Sequence, residues 1–219
     1  MRALVVGASG GIGSALVTAL AARADVIALS RRDDGLDIAD EASVAAVMGR
    51  LVGEFDLVLV ATGALEIDGA RPEKSLRSLN TAAMAAQVAL NAIGPALVLK
   101  HLVRLLPKDR VARVGVLSAR VGSIGDNALG GWYSYRAAKA ALNQLVHTAS
   151  IEVARSHPQA VLALLHPGTV ATGLTAAYAG GHPVVAPDVA AGRLLAVLDG
   201  LTPADSGSFF DWKGERVVW

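Results

Sequence analysis

Short apolar runs alternate along the chain with longer stretches in which apolar residues recur every three or four positions. The runs are rich in Val and Leu without polar alternation, which is typical of strands buried on both faces of a sheet; they lie at residues 3–8, 25–30, 56–62, 113–119 and 160–167. The stretches with helical spacing lie at residues 12–23, 41–53, 73–106, 132–156 and 188–200. This order predicts right-handed β-α-β crossovers, and therefore a parallel sheet with helices on both faces.

Two weaker signals raise the predicted number of strands to about seven. Residues 36–38 read as a short additional strand, and residues 207–212 as a last strand at the sheet edge. We find no repeat, low-complexity segment or linker. The sequence therefore predicts an α/β fold in which residues 1–219 form a single domain with a doubly wound parallel sheet.

Composition narrows the class of protein. The 219 residues are 53% hydrophobic and 18% charged, which favours one globular core. A formal charge of +1 gives no electrostatic reason to expect nucleic acid or an anionic membrane as a partner. The absence of cysteine excludes disulfides, thiolate zinc sites and cysteine nucleophiles, and no His and carboxylate cluster predicts another metal site.

Two apolar segments bear on localisation. The apolar run before the first glycine is only four residues long, too short for a secretory signal, so we expect a cytoplasmic protein. Residues 81–99 contain no charge and nominally reach the length of a membrane span. Because they include Gln87 and Asn91 and are interrupted by Gly94-Pro95, a buried helix is the favoured interpretation.

A glycine-rich turn follows the first predicted strand and leads into a helix. Gly7 to Gly13 reads either as Gly7-x-x-x-Gly11-x-Gly13 or as Gly7-x-x-Gly10-x-x-Gly13. Glycines at a helix start let backbone N–H groups approach a pyrophosphate closely, so the turn predicts dinucleotide binding. No Gly-Lys-Ser/Thr follows, which argues against a P-loop.

The end of the second predicted strand bears on which dinucleotide binds. Ser30, Arg31 and Arg32 stand at the end itself, where arginine favours the 2′-phosphate of NADP over the bare ribose of NAD. The alternative is that both arginines form a solvated turn with Asp33 and Asp34. We predict NADP(H) in preference to NAD(H).

Tyr135 and Lys139 form a candidate acid–base pair. A helix turns about 100° per residue, so positions four apart share a face, whereas Tyr133 lies on another. A cation close to a phenol favours its phenolate and lowers a pKa that is ordinarily about 10. The same spacing also occurs by chance on helix surfaces, so the pair gains weight only from its context.

Together, the glycine turn, the Tyr135–Lys139 pair and the chain length resemble the short-chain dehydrogenase/reductase family over essentially all 219 residues. The segments at 130–143 and 207–219 are most similar to the branch that contains the C-factor signalling protein and sniffer-type carbonyl reductases. The resemblance implies a Rossmann fold. It also implies that Tyr135 is the general acid or base, that Lys139 holds the nicotinamide ribose and lowers the Tyr135 pKa, and that Asn91 anchors a water relay to Lys139.

The resemblance also implies a set of cofactor contacts. Asp37 and Ile38 match the pair that contacts adenine, and Val170 and Thr172 lie in the turn that seats the nicotinamide carboxamide. Ala61-Thr62-Gly63 stands where the family usually has Asn-Ala-Gly, so an asparagine is missing. The implied cofactor-binding set is Gly7, Ser9, Gly11, Ile12, Gly13, Arg31, Arg32, Asp37, Ile38, Ala61, Thr62, Gly63, Tyr135, Lys139, Pro167, Gly168, Val170 and Thr172.

One catalytic position departs from the family pattern. The family serine stands three residues before a glycine, which here is Gly122, and the matching residue is Ala119. Ser118 replaces the hydroxyl if the strand shifts register, Ser123 replaces it from the loop, or the hydroxyl is lost and catalysis is weaker. We assign Ser118 to the catalytic set with Tyr135, Lys139 and Asn91.

Three functions compete on these grounds. The first is NADP-dependent hydride transfer with a small-molecule carbonyl or alcohol substrate. The second is a cofactor-binding regulator with little turnover, and the third is an extended-branch epimerase or dehydratase, for which the 80 residues after Lys139 are too few.

The sequence also predicts a lid and a subunit interface. A glycine-rich lid at residues 173–187 should cover the site, and Tyr178, Trp132 or Trp212 are candidates to line an apolar pocket. The helices at 81–106 and 132–156 are apolar on more than one face, which predicts a homo-dimer or homo-tetramer.

Overall fold

A computed structural model of the chain describes residues 1–175, 178 and 184–219. Its strands form one parallel sheet in the order β2-β1-β3-β4-β5-β6. The strands are β1 (Arg2–Val6), β2 (Asp25–Leu29), β3 (Leu57–Val60), β4 (Ala112–Leu117), β5 (Ala160–His166) and β6 (Phe209–Asp211). The reversal of strand order between β1 and β3 marks the switch point at which ligands bind in sheets of this kind.

The helices cover both faces of the sheet. They are α1 (Gly11–Ala21), α2 (Arg31–Asp34), α3 (Glu41–Gly49), α4 (Thr81–Val88), α5 (Gly94–Leu102), α6 (Tyr133–Val153) and α7 (Pro187–Gly200). Helices α1 and α7 pack together on one face, and α3, α5 and α6 contribute to the core on the other.

The alternation of side chains along each strand divides the core into two halves. In β1, Leu4 and Val6 join the cluster that contains Leu142 of α6. Ala3 and Val5 join the opposite cluster, which contains Leu194 of α7. The predicted doubly wound parallel sheet is therefore confirmed.

The structure corrects the predicted number of strands from about seven to six among the described residues. Residues 36–38 form turns instead of a strand: the Asp37 amide donates to Gly35 O and the Asp40 amide donates to Asp37 O. Leu36 and Ile38 are buried in the core. The two apolar residues stand two positions apart, which is the spacing of one face of a strand, because both anchor this loop in the core.

The helix predicted from residue 73 begins at Thr81, where the Asn80 side chain accepts a hydrogen bond from the Ala83 amide. Before it, residues 76–78 form a 3₁₀ turn. Between α4 and α5 the turns widen to a π-helix over Ala89–Ile93, just before Pro95, which has no amide hydrogen to donate.

The segment Thr81–Leu105 is long and apolar enough to cross a membrane, judged by length and composition alone. In the fold this segment packs on the face of the sheet that also carries α3 and α6. Gln87 and Asn91 are buried and hydrogen-bond to the carbonyl oxygens of Leu65 and Ala64, and Val98 packs in the core. These contacts are those of a core helix.

Candidate active site

A cavity of about 830 Å³ opens beyond the carboxyl ends of the central strands. Residues that follow β1, β3, β4 and β5 line it, together with the start of α6. This is the edge at which parallel α/β sheets bind ligands.

The glycine turn brings backbone unusually close to backbone. Gly7 has φ of +90°, and a Cβ on it would lie 2.6 Å from Ala61 O. A Cβ on Gly13 would lie 2.1 Å from Gly7 O. Both positions therefore require glycine for packing, whether or not they touch a ligand.

The start of α1 is open to an anion. Gly10 precedes the helix without a side-chain cap, and the first turn has no acidic residue. Gly11 and Ile12 line the cavity, as does Gly10, whereas Ser9 is exposed and is not part of the lining. Uncapped N–H groups at a helix start are suited to phosphate.

The segment after β3 adds a polar group. Ala61, Thr62 and Gly63 all line the cavity. Thr62 Oγ1 is buried and has no hydrogen-bond partner within the described part of the chain. Buried hydroxyls are normally satisfied, so this orphan fits a polar ligand. With the open helix start, it makes the cradle compatible with a dinucleotide.

The turn after β5 forms the opposite wall. Pro167, Gly168, Val170 and Thr172 line the cavity, as their predicted role requires. Thr172 packs against the glycine turn, because a Cβ on Gly11 would lie 2.7 Å from its Cγ2.

The two arginines at the end of β2 have different surroundings. Arg32 pairs with Asp33, its Nε lying 2.9 Å from Oδ1, which matches the solvated-turn alternative. Arg31 is exposed and makes no side-chain hydrogen bond or ion pair with the residues that the structure describes. Neither arginine lines the cavity, and Asp37 and Ile38 do not either. Ile38 packs on Gly94 in the core, and Asp37 Oδ1 accepts from the Ala39 amide.

Helix α6 carries Tyr135 and Lys139 to the cavity wall. Both are buried, with 8% and 3% of their surface exposed, and both line the cavity. Lys139 Nζ donates to Leu117 O at 3.0 Å and lies 5.9 Å from the centre of the Tyr135 ring. Tyr133 is exposed and is not part of the lining, so the choice between the two tyrosines follows the predicted helix face.

Burial sets the protonation of this pair. Burial raises the pKa of Tyr135 to about 12 and lowers the pKa of Lys139 to about 8. In the protein alone the pKa of Tyr135 therefore shifts upward because the phenolate is desolvated, opposite to the direction expected from Lys139. Tyr135 keeps its proton at neutral pH, as a general acid requires.

Asn91 lies in the π-helix and is fully buried. Its Nδ2 donates to Ala64 O and Gln87 Oε1, and its Oδ1 accepts from the Ala64 amide. Gly63 separates it from Lys139, since a Cβ on Gly63 would lie 2.8 Å from Asn91 Oδ1 and 3.7 Å from Lys139 Nζ. The Asn91 side chain therefore ties α4 and α5 to the loop after β3.

The three residues around the missing hydroxyl have distinct surroundings. Ala119 lines the cavity. Ser118 also lines it, but its hydroxyl donates to Asn143 Oδ1 at 2.6 Å. Ser123 Oγ accepts from the Asp126 amide and is not part of the lining.

Glu73 is a site-shaping residue that the sequence reasoning missed. The turn before α6 has positive φ at Gly130, Gly131 and Trp132, and Trp132 supplies no side-chain cap. Glu73 supplies the cap instead: its carboxylate accepts from the Ser134 amide and hydroxyl, and its carbonyl accepts from the Trp132 amide. No local pattern links positions 73 and 134.

His166 is a second residue of the site that the sequence analysis did not single out: it ends β5 and lines the cavity. Its Nδ1 accepts from the Arg120 amide. Burial lowers the pKa of His166 to about 4; Arg120 adds to this effect, and Asp211 and Asp126 oppose it. Its place at a strand end on the ligand side of the sheet was the available signal.

The apolar side of the cavity contains Trp132 and Tyr178, whose rings meet edge to face at 5.6 Å. Trp212 packs against Gly168 behind the lining. Of the predicted lid, residues 176, 177 and 179–183 lie outside the described part of the chain.

Comparison with known proteins identifies the family of this chain. A sequence profile of the short chain dehydrogenase family matches residues 1–181. The 1-hydroxy-2-glutathionyl-2-methyl-3-butene dehydrogenase of Rhodococcus sp. (strain AD45) is 34% identical over 232 residues, covering 99% of this chain and 98% of that protein. The C-signal protein of Myxococcus xanthus is 38% identical over 148 residues, covering 66% of this chain and 84% of that protein.

Solved structures agree on the fold. An NADPH-bound carbonyl reductase from chicken fatty liver is 24% identical, with a TM-score of 0.83 over 100% of this chain and 98% of its own. A putative short-chain dehydrogenase/reductase from Burkholderia multivorans with bound NADP is 25% identical, with a TM-score of 0.81 over 100% and 99%. On the profile match and the relative similar over its whole length, the chain belongs to the short chain dehydrogenase family of oxidoreductases.

Proposed function

We propose that this protein reduces a ketone or aldehyde with NADPH, or oxidises the alcohol in reverse, with Tyr135 as the general acid or base. The observation that carries the proposal is the buried, protonated Tyr135 beside Lys139, in the same cavity as the open start of α1. The NADPH bound in the chicken carbonyl reductase and the NADP bound in the Burkholderia protein support the choice of cofactor.

The chain's own residues divide the work. Nicotinamide, when bound, supplies the hydride. Tyr135 gives its proton to the carbonyl oxygen as negative charge develops there. Lys139 carries an ammonium whose pKa of about 8 leaves it largely charged at neutral pH, so it stabilises the phenolate that remains and is placed to hold the ribose. Asn91 fixes the loop behind Lys139.

We assign the preference for NADP(H) to Arg31. It stands exposed at the end of β2 without a carboxylate partner in the described structure, whereas Arg32 is engaged by Asp33. A guanidinium there is suited to the 2′-phosphate. We also propose that the other residues of the cofactor-binding set predicted from the sequence contact NADP(H).

A second candidate is a cofactor-binding regulator with little turnover. Ala119 favours it, because it removes a hydroxyl that the family uses, and the C-signal protein is a relative whose name describes signalling. Removal of one preorganised donor typically costs about 10²–10³ in rate, so an enzyme without it still turns over measurably.

The experiment follows NADPH absorbance with a panel of aldehydes and ketones for wild type, Tyr135→Phe and Tyr133→Phe. We expect turnover in wild type, loss of at least about 10²-fold in Tyr135→Phe, and little change in Tyr133→Phe. Tyr133 is the matched control because it is exposed and lies outside the cavity. Tight NADPH binding with no turnover on any carbonyl would support the regulator.

We further propose a cytoplasmic homo-dimer or homo-tetramer that acts on a small molecule. Ile93, Leu145 and Ile151 are exposed apolar residues in or beside the two long helical segments, which suits a subunit interface. Solution scattering distinguishes monomer, dimer and tetramer.

A further inference from the structure

Among the residues that the structure describes, the wall after β4 lacks the family hydroxyl that would orient a substrate carbonyl beside Tyr135. Ala119 has no polar side chain, and the two nearest serines along the chain are already engaged. The Ser118 hydroxyl donates a hydrogen bond to Asn143 Oδ1, and Ser123 Oγ accepts one from the Asp126 amide away from the cavity. A substrate oxygen at this wall therefore needs a donor from another element.

His166 is the polar side chain that β5 places at the same wall. The parallel pairing of β4 with β5 sets Leu117 opposite Leu165, so His166 comes beside the residues that follow β4. The Arg120 amide donates to His166 Nδ1 at 3.3 Å. The ring lines the cavity together with Ala119 and Tyr135.

That hydrogen bond determines which nitrogen carries the proton. An amide can only donate, so Nδ1 must be an acceptor and a neutral ring must be protonated at Nε2. Nε2 makes no hydrogen bond to any residue that the structure describes, and it is not among the buried polar atoms without a partner. It therefore remains accessible as a donor.

The charges around the ring keep this donor neutral. Arg120 faces the ring and pairs with Asp126 and Asp211, so the three charges partly cancel. Burial and Arg120 together hold the His166 pKa at about 4. A neutral donor stabilises oxygen charge without moving its own proton, which leaves proton transfer to Tyr135.

We propose that His166 Nε2–H donates a hydrogen bond to the substrate carbonyl oxygen and so takes the place of the hydroxyl missing at Ala119. The inference rests on the proposed carbonyl reduction. The hydride adds to the carbonyl carbon, the Tyr135 proton goes to the oxygen, and His166 retains its proton throughout.

The test uses a variant that separates the donor from its structural bond. In His166→Asn the side-chain oxygen replaces Nδ1 as acceptor for the Arg120 amide, but no donor reaches the position of Nε2. Ala119→Ser is made in both backgrounds, and His147→Asn is the control. His147 is a half-buried histidine of α6 that bonds to Gly207 O and does not line the cavity.

For the carbonyl compound that wild type turns over best, kcat of His166→Asn should fall about 10²-fold, with KM and NADPH affinity changing less. Adding Ala119→Ser should restore about tenfold or more, a larger gain than the same change gives in wild type. His147→Asn should retain kcat. Equal kcat in His166→Asn and wild type, or no extra gain from Ala119→Ser, would overturn the inference.

Nitrogen NMR of the histidine ring gives a readout that does not depend on turnover. In the NADPH complex, we expect His166 protonated at Nε2 alone at neutral pH; protonation at Nδ1 would contradict the proposal. Wild type that binds NADPH but reduces no carbonyl overturns the proposed function and this inference with it. Active wild type with an unaffected His166→Asn overturns only the inference.

Discussion

Among single residues, Ser118 carries two conflicting indications. We assigned it to the catalytic set as a replacement for the hydroxyl missing at Ala119, whereas its hydroxyl donates at 2.6 Å to Asn143 Oδ1 with both residues buried. We expect Ser118→Ala to lower the free energy of unfolding by about 1–3 kcal/mol, because Asn143 Oδ1 loses its donor in the interior. Urea unfolding, with NADPH turnover of the same samples, measures both effects.

The control for this change is Ser75→Ala. Within the described part of the chain the Ser75 hydroxyl bonds to the exposed Ser78 alone, so its loss should change stability by less than about 0.5 kcal/mol. If Ser118→Ala instead leaves stability unchanged and abolishes turnover as Tyr135→Phe does, the catalytic assignment of Ser118 is right and the bond to Asn143 is incidental.

The sequence predicts the role of a single residue when neighbouring residues determine it, and fails when residues far along the chain do. The spacing of Tyr135 and Lys139 identifies their shared helix face, since the period of a helix is local. The direction of the Tyr135 pKa shift was predicted wrongly, because it depends on burial by residues distant in sequence. Similarly, Arg32 and Asp33 are neighbours, yet their sequence alone did not decide between a surface pair and a phosphate site.

Among the elements, α6 depends on a residue that lies far from it in sequence. Burial would raise the pKa of Glu73, but hydrogen bonds from Ser134 and from the Glu73 amide outweigh it and hold the pKa below its usual value. We expect Glu73→Ala to lower the free energy of unfolding by about 1–2 kcal/mol, because the first turn of α6 loses its cap. It should also lower kcat, since Tyr135 follows Ser134 directly. Chemical unfolding and steady-state kinetics measure the two losses.

Glu41→Ala is the matched control for Glu73→Ala. Glu41 begins α3 and pairs with Lys100 at the surface, where both side chains are more than half exposed. Its removal should cost less than about 1 kcal/mol and leave kcat unaltered. Equal losses in the two variants would show that the carboxylate of Glu73 has no special part in holding Tyr135.

The elements themselves were largely predictable. Strands buried on both faces need continuous apolar runs, and five such runs coincide with β1 to β5. Residues 36–38 were misassigned because burial of a loop anchor leaves the same local pattern as a strand. The start at Thr81 was missed because the residues from 73 serve α6 and a 3₁₀ turn instead of continuing α4.

In the whole molecule, the site is a consequence of strand order and register. Pairing of β4 with β5 brings Arg120 and His166 together across 46 residues, and β6 adds Asp211. Sequence patterns predict that these strand ends share one edge, because parallel strands must end together. They do not predict which side chains meet there, since that requires the register of each pair.

The contacts of His166 with Arg120 at these strand ends also make the free energy of unfolding depend on pH. The His166 pKa is about 4 in the folded chain against the ordinary histidine value of 6.5, so between these limits the unfolded chain binds more protons and stability rises with pH. On acidification through this window, wild type should lose up to about 3 kcal/mol more than His166→Asn, which has no ring to protonate. Asp126, Asp211 and Arg120 are retained in both proteins, so the difference between their unfolding free energies at pH 7 and at about pH 4.5 isolates the ring. Parallel pH curves for the two proteins would mean that the His166 pKa is the same in the folded and unfolded chains. The ring would then take up a proton in the fold near its ordinary pKa, and a charged ring would not hold Nδ1 as an acceptor for the Arg120 amide.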